Sequence, residues 1–295
     1  MPVDKLTQLQ PQHDYLICID SDGCMLDNME LKHKECFCPA TVNVWNLQTV
    51  SRYARECAEF VNLYSRTRGT NRFPAVIRTL ELLAERPEAK ARGYELPDLT
   101  PLKEWCATTP VLGAAALEEY SQSHTDLAPV LLQAAAWSRE VDANIAHIVH
   151  GIGPFPGVKE TIAHLSTFAD IVVVSATPHE ALVRELTACG IAPLVTFIAG
   201  QEMGTKAQCI RDAMTGKYDP DHVLKVGDAV SDSKAAADNG VLFFPIIPGQ
   251  EAECWDLLRT EAAVKVQNGS YRGDYMTERM DAFLVVLQEN PPWNI

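Results

Sequence analysis

The sequence has no apolar run approaching the roughly 18 to 20 residues that a membrane-spanning helix needs. Its first residues, MPVDKLTQLQPQHD, lack the apolar core of a secretory signal. A paired cysteine framework is missing too. The nine cysteines are odd in number, scattered, and mostly flanked by apolar residues, which reads as reduced thiols in a cytoplasmic protein. Cys36 and Cys38 are the one close pair, and no second Cys/His pair stands near them at zinc-finger spacing, so no zinc site is expected there. Positive charge is scarce: 25 Lys and Arg face 39 Asp and Glu, for a net charge of −14, which argues against nucleic acid or an anionic membrane as partner. Internal repeats and low-complexity tracts are absent, which excludes a solenoid.

The 47% apolar content of 295 residues can build one large domain or two ordinary ones. The charge is unevenly spread. Residues 31–152 hold 13 Lys and Arg against 14 Asp and Glu, whereas the rest holds 12 against 25. The nearly neutral middle therefore reads as a separate unit. From 38 to about 150 the periodicity is helical throughout and predicts four to six helices, with Tyr53, Cys57, Phe60, Val61 and Tyr64 on one buried face and Pro74 in the first turn of the helix over 73–85. Gly151, Gly153, Pro154, Pro156 and Gly157 then mark a boundary.

Beyond it, strand and helix alternate. The strands are DIVVVSAT (170–177), LVTFIAG (194–200), HVLKVGDA (222–229) and VLFFPII (241–247), with a helix between each pair. Strands at helical intervals imply a parallel sheet with helices on both faces. YLICID (15–20) reads as a further strand of that sheet. The predicted fold is α/β: a doubly wound, Rossmann-like core from residues 1–30 and 151–295, with a helical extension at 250–295, and an all-helical domain inserted at 31–150.

In open parallel sheets, ligands bind in the crevice at the carboxyl ends of the strands. Every chemically notable side chain falls at such an end. Asp20 and Asp22 follow the first strand, Ser175 follows IVVV, Lys206 opens the helix after TFIAG, and Asp228 and Asp232 follow VLKVG. Two carboxylates this close repel each other and lose hydration on burial, which a bound cation would offset. Singly, an aspartate pair after a strand is often a turn, Ser175 a loop hydroxyl and Lys206 a solvated helix lysine. The joint pattern is what points to a site.

That pattern resembles the haloacid dehalogenase superfamily of phosphotransferases. Its motifs are matched by Asp20-Ser21-Asp22-Gly23, by IVVVSAT ending in Ser175, by Lys206, and by Gly227-Asp228 with Asp232. Cys24 stands where Thr or Val is more usual. The resemblance covers about 15–30 and 150–247, and PFPGV before the second strand is similar to the branch with a helical cap inserted after the first motif. It implies a Mg²⁺ ion held by the Asp20 carboxylate, the Asp22 backbone carbonyl and Asp228. It further implies that Asp20 is the nucleophile, that Asp22 is the acid and base, and that Ser175, Ala176 and Lys206 hold phosphoryl oxygens. Asp232 would orient Lys206 or a metal-bound water.

The function expected is a Mg²⁺-dependent phosphomonoesterase acting through an aspartyl-phosphate on a small phosphorylated metabolite. The alternatives are a phosphosugar mutase of the β-phosphoglucomutase type and a non-catalytic ligand-binding protein on the same scaffold. Dehalogenases and phosphonoacetaldehyde hydrolases of this superfamily generally lack an aspartate at the Asp22 position, which counts against both. Within the cap, Arg66, Arg68 and Arg72 cluster around Gly69. Guanidinium groups suit a carboxylate or second phosphate, so Arg72, with Arg68 second, is expected to bind substrate.

Overall fold

The structure, a computed structural model, describes residues 5–109, 112–124 and 128–294. Positions 1–4, 110–111, 125–127 and 295, which fall inside the expected domain ranges, lie outside the described residues. The chain divides into two compact units, one of residues 1–27 and 152–287, the other of residues 28–151 and 288–295.

The first unit is built on a five-stranded sheet: β1 (Tyr15–Ile19), β2 (Ala169–Val174), β3 (Phe197–Ala199), β4 (Val223–Gly227) and β5 (Leu242–Pro245), in the order β3-β2-β1-β4-β5. All pairings are parallel. Every residue of β2, β4 and β5 is buried, the pattern of strands covered on both faces, and it explains why these segments read as mostly apolar runs, with Asp170 and Lys225 the charged exceptions. Each strand is shorter than its sequence run. LVTFIAG contributes only three strand residues, because Ala192–Leu194 forms a turn of 3₁₀-helix first.

The second unit carries α1 (Met29–Leu31), α2 (Cys38–Val44), α3 (Ser51–Glu59), α4 (Arg72–Glu85), α5 (Pro87–Lys90), α6 (Thr100–Thr108), α7 (Ala114–Ser123) and α8 (Ala128–Ile148). Its core packs Phe73 edge-on against Trp105 and Trp137, both fully buried or nearly so. Among the described residues, 38–150 holds seven α-helical segments rather than four to six, one being the single turn that Pro87 begins. The expected apolar face of α3 holds as far as Val61. There the helix widens to π-type over Phe60–Tyr64, which delays each side chain around the axis, so Tyr64 is exposed and donates to Glu30 instead of joining the core. Residues 288–295 were expected with the sheet. Of these, the described residues 288–294 group with the helical unit, where Gln288 donates its N–H to the Tyr64 carbonyl and Trp293 packs on Phe60 and under the Arg86 guanidinium.

The remaining helices return to the sheet: α9 (Val158–Leu165), α10 (His179–Ala188), α11 (Lys206–Met214), α12 (Val230–Ala237), α13 (Glu251–Leu257), α14 (Ala263–Gln267) and α15 (Asp274–Val286). α9 and α11 pack on β2, α10 on β3, α12 on β4 and β5, and α15 on β5. This is the Rossmann-like α/β core expected from the strand–helix alternation. No helix among the described residues is long and apolar enough to cross a membrane. All nine cysteines are free.

Candidate active site

The sheet register places the site. Ile19 lies beside Val173 of β2 and Val226 of β4, so the residues just past these positions emerge together. Asp20 still belongs to the ladder through its N–H, which donates to the Val226 carbonyl at 3.0 Å. The chain then turns sharply. The Ser21 carbonyl accepts the N–H groups of Cys24, Met25 and Leu26, and Gly23 takes the left-handed conformation, φ 71°, that the turn requires. The Trp255 indole N–H closes the turn from outside by donating to the Cys24 carbonyl at 2.9 Å.

Four strand ends meet here. Lys206, the first residue of α11, donates to Asp20 Oδ2 at 2.5 Å and Asp232 Oδ1 at 2.8 Å. The other Asp20 oxygen accepts the Ser21 N–H at 2.8 Å. Ser175 is buried, and its Oγ accepts from Ser21 Oγ at 2.7 Å and from the Thr177 N–H at 3.1 Å. The Thr177 hydroxyl donates in turn to Asp22 Oδ2 at 3.1 Å. Ala176, between them, is exposed. Asp228, buried, follows β4 directly. Gly227 is obligatory at that strand end, because a Cβ there would lie 2.3 Å from Cγ of Asp232.

Three residues of this network, Lys225, Ser21 and Thr177, are not among those expected from the sequence. Lys225 is wholly buried in β4, and its Nζ lies 2.9 Å from Asp232 Oδ1 and donates to the Val226 carbonyl at 3.1 Å. A lysine inside the run VLKVG was a readable signal, since a buried ammonium demands a carboxylate partner. Ser21 and Thr177 gave no such signal, because short hydroxyl side chains in loops are common.

The charges perturb one another strongly. Burial pushes the Asp20 carboxyl up to about 7; Lys206 and Lys225 pull it down, while Asp232 and Asp228 push it further up. Burial also opposes the charge on Asp232, but Lys206 and Lys225 outweigh it and hold that carboxyl below its usual range. Lys206 stays protonated well beyond its ordinary value, because Asp20 and Asp232 together overcome the cost of burying it.

Carboxylate oxygens of Asp20, Asp228 and Asp232 lie within 4.8 Å of one another. Asp232 Oδ2 is buried with no hydrogen-bond partner. An all-oxygen, anionic donor set with an unsatisfied oxygen fits a hard divalent cation such as Mg²⁺. Asp232, expected to orient Lys206 or a metal-bound water, bonds Lys206 and stands among these carboxylates. Asp22, whose backbone carbonyl was the expected ligand, contributes no carboxylate to the group.

The two cap arginines lie in the helical unit and are engaged there. Arg72 Nη1 donates to the Ser138 carbonyl and hydroxyl and to Asp142 Oδ1, at 3.2, 3.0 and 2.7 Å, and its guanidinium sits over the Phe37 ring. Arg68 is buried and donates to the Leu63 carbonyl at 3.1 Å. Arg66 pairs with Glu289 at 3.0 Å. The bonds of Arg72 fasten the start of α4 to α8.

The family model described as haloacid dehalogenase-like hydrolase matches residues 113–246. No curated protein matches the sequence. Among solved structures, the chain is similar to a haloacid dehalogenase-like family hydrolase from Streptococcus pneumoniae, at 14% identity over 86% of this chain and 97% of that one, with a TM-score of 0.47. It is also similar to a candidate phosphoglycolate phosphatase from Lactobacillus delbrueckii subsp. bulgaricus, at 14% identity over 88% and 99% of the two chains, TM-score 0.49. A candidate β-phosphoglucomutase from Thermotoga maritima shares 14% identity over 78% and 84%, TM-score 0.37. The family match spans Ser175, Lys206, Asp228 and Asp232, the second to fourth of the motifs read from the sequence, so over these residues the chain is similar to haloacid dehalogenase-like hydrolases.

Proposed function

We propose that the protein is a Mg²⁺-dependent phosphomonoesterase that forms an aspartyl-phosphate on Asp20 and acts on a small phosphorylated metabolite. The observation that carries this reading is the division between the two aspartates of the first motif. Asp20 sits within a carboxylate cluster against Lys206, while Asp22 stands outside that cluster and accepts the Thr177 hydroxyl. This division supports a reading in which Asp20 attacks and Asp22 handles protons.

Asp20, Asp228 and the Asp22 carbonyl would hold the cation, with an Asp232 carboxylate oxygen in the same cluster. Bound there, Mg²⁺ supplies the positive charge that lets an anionic phosphoryl group approach an acidic site. The chain's own residues do the rest. Lys206 neutralises Asp20 on one side and offers its ammonium to a phosphoryl oxygen. Ser175 donates its hydroxyl to a second oxygen. An Asp20 oxygen forms a bond to phosphorus as the bond to the substrate's ester oxygen breaks, and Asp22 protonates the departing alkoxide. Asp22 then takes a proton from the water that attacks phosphorus, which breaks the Asp20–phosphorus bond and releases phosphate. Two features support this assignment: burial raises the Asp20 carboxyl, so added positive charge would favour its ionised, nucleophilic form, and Asp22 is only half-buried, open to a leaving group and to water.

The experiment is a screen of purified protein against a panel of phosphorylated metabolites, with Mg²⁺ and with EDTA. Phosphate release that requires Mg²⁺ and disappears in Asp20→Asn supports the reading. No release from any phosphate ester by folded protein, or release unaffected by Asp20→Asn, rejects it.

A further inference from the structure

Ser21 lies between the two aspartates and is completely buried. A serine hydroxyl carries one hydrogen to donate and two lone pairs to accept with. Ser21 spends its hydrogen on Ser175 Oγ, at 2.7 Å. The second lone pair of Ser175 accepts the Thr177 N–H at 3.1 Å, the local turn that a serine makes with the residue two positions on. Both acceptor sites of Ser175 are therefore filled, and they are filled from within the protein. Its one hydrogen is left for an acceptor outside this network.

We infer that Ser21 is a positioning residue for phosphate recognition: its hydroxyl fixes Ser175 as a donor toward the phosphoryl oxygen. The inference rests on the phosphatase reading, and goes beyond it by assigning a task to the residue between the two aspartates. Without Ser21, the Ser175 hydroxyl has an empty lone pair and is free to rotate, and water or a protein donor can compete for it. The same contact ties two loops. Ser21 and Asp22 both bond the 175–177 turn, Ser21 through Ser175 and Asp22 through the Thr177 hydroxyl. The first motif thus orients a donor through one residue while the next residue is itself oriented by that donor's turn.

The test measures binding of inorganic phosphate by calorimetry, in the presence of Mg²⁺, to the wild type, Ser21→Ala, Ser175→Ala and the double variant. The lost orientation of one hydrogen bond corresponds to a roughly threefold to tenfold weaker dissociation constant for Ser21→Ala. Ser21→Ala should add nothing in the Ser175→Ala background, since its effect passes through that hydroxyl. Ser21→Cys, close in size and a weaker donor, should fall between wild type and alanine, and it carries the test if the alanine variant does not fold. Wild-type affinity in either folded variant, or equal losses with and without Ser175, overturns the inference while leaving the phosphatase reading intact. A folded wild type that binds no phosphate removes that reading, and the inference with it.

Discussion

The carboxyl of Asp20 should weaken the metal-free protein as pH rises, and replacing it should strengthen that protein. Its ordinary value is 3.8 and burial lifts it to about 7 in the fold. Between these values the folded state keeps a proton that the unfolded chain has lost. Stability therefore falls as pH rises from about 4 to 7, opposite to the behaviour of a salt-bridged aspartate. At about 1.36 kcal/mol per unit, the ionised group costs on the order of 4 kcal/mol at pH 8. Asparagine reproduces the uncharged form. In EDTA at pH 8, Asp20→Asn should therefore unfold up to roughly 8–16 °C above the wild type, and near pH 4 the two should coincide. Thermal unfolding of both proteins across this range, followed by circular dichroism, checks it. An Asp20→Asn protein less stable than wild type at pH 8, or a difference independent of pH, would refute the electrostatic argument.

Two further outcomes follow from the same network. Lys225→Met removes one of the two ammonium groups that hold Asp232 below its usual range, at a cost of about 1.5–3 kcal/mol for a hydrogen bond to a charged group. Because a depressed carboxyl stabilises above its unfolded value and loses that contribution as pH falls, the deficit should be full at pH 7 and shrink below about pH 4, as read by urea unfolding. Thr177→Val deletes the hydroxyl that donates to Asp22 and keeps the N–H that serves Ser175; kcat should fall about threefold to tenfold for an alkyl phosphate and less for nitrophenyl phosphate. Equal losses on the two esters would detach Thr177 from proton transfer.

The sheet and its rim were legible because the parallel strands are mostly apolar and end abruptly. YLICID, IVVVSAT and VLKVG each run straight into the polar residue that matters, so the strand end and the chemistry are read in one step. What escaped lay between such landmarks. Lys225 was hidden inside a strand, where the eye credits the run and passes over the exception. The link from Ser21 to Thr177 by way of Ser175 depends on hydroxyl directions that no spacing encodes. The widening of the helix at Phe60–Tyr64 moved Tyr64 off the face that 3.6-residue periodicity assigned to it. Residues 288–294 join the helical unit through Trp293 and a backbone bond to Tyr64, a return across more than two hundred residues that local pattern does not announce.

The central claim is that phosphate passes through the carboxylate of Asp20. It is tested by mixing the enzyme with a turned-over phosphate ester and Mg²⁺, quenching in acid within one turnover, and treating with borohydride, which reduces an acyl phosphate to the alcohol. Mass spectrometry of the peptide spanning Tyr15 to Asp27 should then find homoserine at position 20 and an unaltered Asp22. Turnover without any reduced residue, or reduction at Asp22, Asp228 or Asp232 instead, would contradict it.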